Sequence, residues 1–97
     1  MPKYRFTPAA KSDLIKIWNY SVETWGEKRA ENYLLDIEAK LEQLASNPKL
    51  GKQRPEISLG YYSFPVVKHV IFFLQSDKYI DIIGILHGRM DIKNNLI

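Results

Sequence analysis

None of the 97 residues is a cysteine. That excludes disulfides, thiolate zinc sites and thiol nucleophiles, and it suits a reducing compartment. Histidine is nearly as scarce. His69 and His87 are the only two, and no carboxylates flank either at ligand spacing, so no metal site is expected. The longest apolar runs reach about eight residues, against the roughly 20 needed to span a bilayer. The opening Met1-Pro2-Lys3-Tyr4-Arg5-Phe6 has no apolar core of a signal peptide, so the chain is expected in the cytoplasm with no membrane partner. Phosphate-binding loops of the GxxxxGK[ST] or GxGxxG type and the GxSxG elbow are missing too. The expectation is a protein without a cofactor and without a complete catalytic set, working by contact with other macromolecules.

What is present is an ordinary globular composition. Hydrophobic residues make up 45% and charged residues 26%, which excludes a disordered chain. The length fits one domain, residues 1–97, with no room for a second core. A net charge of +3 and a pI near 9.2 favour an acidic protein or nucleic acid as partner.

Lys3 to Thr7 reads as a short strand with Tyr4 and Phe6 on one face. Thr7-Pro8 then starts a helix, threonine as N-cap and proline at the first position, where its missing N–H costs nothing. Ala10, Leu14, Ile17, Trp18 and Ser21 recur at helical spacing, and Gly26 stops the helix. Ala30, Tyr33, Leu34, Ile37, Leu41, Leu44 and Ala45 form the stripe of a second helix, ended by Asn47-Pro48. So short a link at Gly26 predicts an αα-hairpin. Lys49–Leu59 reads as a connecting loop. Three strands follow, Gly60–Phe64, Lys68–Gln75 and Tyr79–His87, with Pro65 in the first bend and Gln75-Ser76-Asp77-Lys78 as the second turn. The fold class is α+β: an N-terminal strand, an αα-hairpin and a three-stranded antiparallel meander, with the helices on one face of a sheet of about four strands. Trp18, Tyr33, Ile37 and Leu41 are expected between helices and sheet.

Strict alternation makes both faces of the meander apolar. His69, Ile71 and Phe73 oppose Val70, Phe72 and Leu74; Tyr79, Ile83 and Ile85 oppose Ile80, Ile82 and Leu86. Two helices cover one face, so a partner segment is expected on the other. Phe72, Leu74, Ile80 and Ile82, with Trp18 and Arg54, are the candidate partner-binding residues, and acidic residues of the partner are expected to meet a basic rim of lysine and arginine. His87 and Arg89 would stand side by side where the last strand leaves the sheet. Such a pair can do acid–base work on a phosphodiester, although a solvated rim fits the same residues.

Several segments in order carry a likeness: Tyr4-x-Phe6-Thr7-Pro8-Ala9-Ala10-x-x-Asp13-Leu14, Ile17-Trp18-x-Tyr20, Trp25-Gly26 and Ala30-x-x-Tyr33. It continues in Leu44-Ala45-x-Asn47-Pro48-x-Leu50-Gly51, His69-Val70-Ile71-Phe72-Phe73 and Ile85-Leu86-His87-x-Arg89-Met90-Asp91. Over nearly its whole length the chain resembles the ParE branch of the RelE/ParE superfamily, the toxins of bacterial type II toxin–antitoxin systems. The resemblance implies a DNA gyrase inhibitor, a role in plasmid stabilisation, and neutralisation by a ParD-type antitoxin whose flexible C-terminal part wraps the toxin. It implies no sequence-specific contact with nucleic acid by the toxin itself. The RelE-type relatives cut mRNA on the ribosome with a basic cluster that includes a strand arginine. Here that strand reads Tyr61-Tyr62-Ser63-Phe64, and the tail from Asp91 to Ile97 has no tyrosine. An mRNA interferase, or a relative without target activity, is therefore the alternative to a gyrase inhibitor. His87, Arg89 and Met90 are the candidate target-facing residues.

Overall fold

The computed structural model describes residues 3–88. Its elements run β1 (Tyr4–Phe6), α1 (Pro8–Trp25), α2 (Glu27–Ser46), β2 (Lys52–Gln53), β3 (Tyr62–Val66), β4 (His69–Gln75) and β5 (Ile80–His87), with a 3-10 turn at Pro48–Leu50. They form an α+β fold in two layers, an αα-hairpin on one face of a five-stranded sheet. Strand order is β1-β5-β4-β3-β2; β1 runs parallel to β5 and the other pairs are antiparallel.

Local chemistry sets the helix ends as the sequence leads one to expect. The Thr7 hydroxyl accepts the Ala10 N–H at 3.2 Å, and Pro8 occupies the first turn. Gly26, at φ 91°, serves as the end of α1 and the start of α2. A side chain there would be strained, so the hairpin reverses at the one residue type suited to it. Ala10, Ile17, Tyr33, Ile37, Leu41 and Leu44 then pack on Val66, Ile71, Phe73, Ile80, Ile82 and Ile85 of the sheet in a single core.

Four features depart from the sequence reading. The sheet has five strands, because the expected loop after α2 contributes the two-residue β2 against β3. Pro65 is not in a bend but within β3 opposite Val70; the bend is Val67-Lys68. Trp18 is half-buried at the molecule's flank rather than between helices and sheet. The fourth concerns register. Phe72 pairs with Gly84 and Phe73 with Ile82, so Ile83 is an extra residue in β5. Such a bulge inverts the alternation. Ile82 and Ile85, which strict alternation puts on opposite faces, both enter the helix-covered core.

Candidate functional site

The two histidines of the chain meet across the sheet. His69 and His87 are directly paired in register, with ring centroids 5.4 Å apart. On the other side of His69 stands Tyr33 of α2, whose hydroxyl lies 2.6 Å from Nδ1 and 3.4 Å from the Val66 carbonyl. Both contacts are satisfied together when the hydroxyl donates to the carbonyl and accepts Nδ1–H. The rings continue outward from Tyr33 to Trp25, at 6.0 Å, and from Trp25 to the exposed Tyr20, at 6.3 Å. One end of the molecule is thus an aromatic row from α1 to β5.

Burial, and next the charge of His87, lowers the pKa of His69 to about 4. A general acid–base group works best with a pKa near the operating pH, so His69 is ill-suited to that role. It acts as a neutral strut between α2 and the sheet. The unfolded chain protonates this imidazole below about pH 6.5, whereas the folded protein resists until about pH 4. Stability from His69 is therefore complete above pH 6.5 and falls away as the pH drops towards 4. Thermal melts between pH 7.5 and 4.5 should show this slope, and His69→Gln should flatten it; an equal slope in the variant would exclude His69 as its source.

Beside the histidines, Asp13, Lys16, Ile17, Tyr20 and Ile85 help to line a cavity of about 410 Å³ between α1 and the end of β5. Asp13 has a structural task there. β1 stops at Phe6, and the edge of β5 beyond Ile82 would leave a backbone donor unsatisfied; the Asp13 carboxylate accepts the Ile85 N–H at 3.0 Å. Among the described residues, no group of three His, Cys, Asp or Glu side chains is placed to hold a metal ion.

The candidate partner-binding residues do not share one surface. Ile80 and Ile82 are buried under the helices at 2% and 0% exposure, the bulge having turned them inward with Ile85. Phe72 and Leu74 are on the opposite sheet face, by alternation from Ile71 and Phe73, and Phe72 too is buried, at 1%. Part of its cover is Arg54, whose guanidinium stands 5.6 Å from the ring centre, donates to Ser63 Oγ at 3.1 Å and pairs with Glu56 at 2.6 Å. Arg54 thus brings a guanidinium to Ser63 on β3, where Glu56 already pairs with it. Tyr62 itself stacks on Phe73, at 5.5 Å, facing the helices. His87 is half-buried at the end of β5; Arg89 and Met90 lie outside the described residues.

The apolar surface is elsewhere. Tyr4, Phe6, Leu14, Trp18, Leu34 and Leu35 line a groove of about 340 Å³ between α1, α2 and β1, with Glu31 and Glu38 also in its wall. Leu35 is 60% exposed at its lip. Of the expected partner-binding set only Trp18 belongs to it. The signal was present as a second helical stripe, Glu31-Leu34-Leu35-Glu38, alongside the main one. On the opposite flank of α2 is a notch of about 320 Å³ against the Val67-Lys68 turn, where Arg29 and Lys68 both stand over the Trp25 ring.

The comparisons with known proteins agree with this geometry. The sequence matches the family described as "ParE toxin of type II toxin-antitoxin system, parDE" over residues 4–92. Toxin ParE1 of Mycobacterium tuberculosis is 34% identical over 95 residues, 97% of each chain. Toxin ParE1 of Caulobacter vibrioides is 32% identical over 96 residues, 99% of each. Among solved structures, a chain of the "Chromosomal ParDE TA system from P. aeruginosa" superimposes with a TM-score of 0.76 at 24% identity, covering 90% of this chain and 96% of that one, a likeness of fold.

Proposed function

This chain belongs to the ParE toxin family of type II toxin–antitoxin systems, and on that premise we propose that it inhibits DNA gyrase by binding and is neutralised by a ParD-type antitoxin. Family membership supports the target. The observation that carries the binding reading is that the half-buried histidine and the arginine beside β3 are both held in structural contacts. His69, with its pKa near 4, is committed to Tyr33, and Arg54 is committed to Glu56 and Ser63. A phosphodiester-cleaving site needs a proton-transfer group with a cation free to meet the phosphate, and neither His69 nor Arg54 is available for its part.

The antitoxin's place is the groove walled by Leu14, Trp18, Leu34 and Leu35. It takes an amphipathic helix or extended segment whose apolar side chains fill it, with basic residues facing Glu31 and Glu38. This reverses the charge expected from the sequence, because the side of α2 that borders the groove is acidic. Burial of roughly 800 Å² on each partner is typical of a stable complex of this kind. Target contact is assigned to the chain end at His87, Arg89 and Met90.

The test sets purified protein against gyrase supercoiling and cleavage in one arm and against in vitro translation in the other. Gyrase should be inhibited and translation left alone, and His87→Ala should reduce potency without lowering maximal inhibition. Blocked translation with intact gyrase would replace this reading by that of an mRNA interferase. An Arg89→Glu protein that binds antitoxin and still inhibits gyrase fully would remove the chain-end assignment.

A further inference from the structure

The two flanks of α2 are differently built. Glu31, Leu34, Leu35 and Glu38 face the apolar groove, whereas Arg29, Asn32, Tyr33 and Asp36 face the notch against the β3–β4 turn. An occupant of one leaves the other accessible. We propose that the notch walled by Trp25, Val67, Arg29 and Lys68 is a second docking surface, receiving an acidic side chain with an apolar neighbour from a protein segment of the toxin's target. The inference rests on the gyrase reading and extends the target-facing surface from His87, through His69 and Tyr33, to the turn.

Three observations carry it. Arg29 and Lys68 lie 6.0 and 5.4 Å from the centre of the same indole, both exposed. Among the described residues the ion pairs are Arg5–Asp81 and Arg54–Glu56, so neither notch cation is neutralised by a carboxylate. Two cations on an aromatic floor make a site for a carboxylate, and tryptophan, tyrosine and arginine are the residues that dominate binding energy at interfaces.

The second observation is the turn. Val67 is at φ 51°, a conformation in which a β-branched residue is an outlier, and it is 73% exposed. Two-residue hairpin turns favour glycine, asparagine or aspartate at such positions. A valine in this conformation costs the turn some strain, and in the same notch as Trp25 it supplies an apolar wall. The third is charge balance. Asp36 also lines the notch and Glu27 lies at the start of α2, so the field is too mixed for a run of phosphates, which needs many cations in a row. A single acidic side chain, with Asn32 and Asp36 left for peptide N–H groups, fits the volume and the chemistry.

Two variants test it on purified protein with gyrase holoenzyme and a ParD-type antitoxin. Arg29→Glu with Lys68→Glu should lose about tenfold or more in inhibitory potency on gyrase while binding antitoxin as before. Val67→Asn relieves the turn, so it should melt at or above the wild-type temperature and still lose potency. If the wild-type protein inhibits gyrase and both variants match it, the notch proposal falls and the gyrase reading stands. If the wild type leaves gyrase untouched, both fall. Loss of antitoxin binding in a variant that folds would make the notch part of the antitoxin surface and overturn the proposal. So would a plasmid-DNA mobility shift by the toxin alone that the charge reversal abolishes.

Discussion

Replacing Phe73 by alanine is expected to cost about 3–5 kcal/mol of stability, the usual range for removing a fully buried phenylalanine. Phe73 is 0% exposed, stacks on Tyr62 and packs beneath the helices, and its ring reaches Gly51 so closely that even a Cβ at that glycine would overlap it. The surrounding groups have little freedom to collapse into the space, because β4 is bonded to neighbours on both sides. A domain of this size has only some 5–10 kcal/mol in total, so the free variant should lose a third or more of its stability and melt at a much lower temperature. On the proposed reading an antitoxin that binds the folded state should offset the loss, by about 4 kcal/mol at a thousandfold excess over Kd. Denaturant melts of the free protein and the complex measure both quantities. A loss below about 1 kcal/mol would mean that the stacked pair does not organise the core as described.

A second large effect is expected from Leu35→Glu. Leu35 is 60% exposed at the groove lip, so the fold should lose no more than a few tenths of a kcal/mol. In the complex the new carboxylate would be desolvated beside Glu31 and Glu38. A charge buried without a partner at an interface costs about 2–5 kcal/mol, which corresponds to a rise in antitoxin Kd of roughly 30- to 5,000-fold. If the proposed function holds, inhibition of gyrase should stay unchanged, giving a toxin that the antitoxin no longer restrains. Calorimetric titration with antitoxin beside the supercoiling assay checks it. An unaltered Kd would move the antitoxin off the groove.

The contrast between these two leucine-rich and aromatic regions shows where sequence reasoning reaches. Thr7-Pro8, Gly26 and Asn47-Pro48 act through local backbone chemistry, and each ends or begins a helix where the residues require. The helical stripe through Tyr33, Ile37 and Leu41 is a matter of period alone, and those side chains are buried. The order of elements and the family followed from the same local signals. Chain sequence by itself determined the α+β class and the membership in a toxin family, because caps, periods and motif order depend on neighbours a few residues apart.

Tertiary structure decided which faces are covered. The bulge at Ile83 lies just past Ile82, the last residue of β5 that pairs with β1; nothing in the alternation of isoleucines announces it. With it, Ile80 and Ile82 passed from candidate surface to core. Tyr33 meets His69 across 36 residues and Asp13 meets Ile85 across 72, so the neutral histidine and the satisfied strand edge are products of packing. The acidic groove and the basic notch arise on either side of α2 for the same reason. A residue's helical phase is local, but what stands opposite it depends on where the sheet and the Val67-Lys68 turn come to rest.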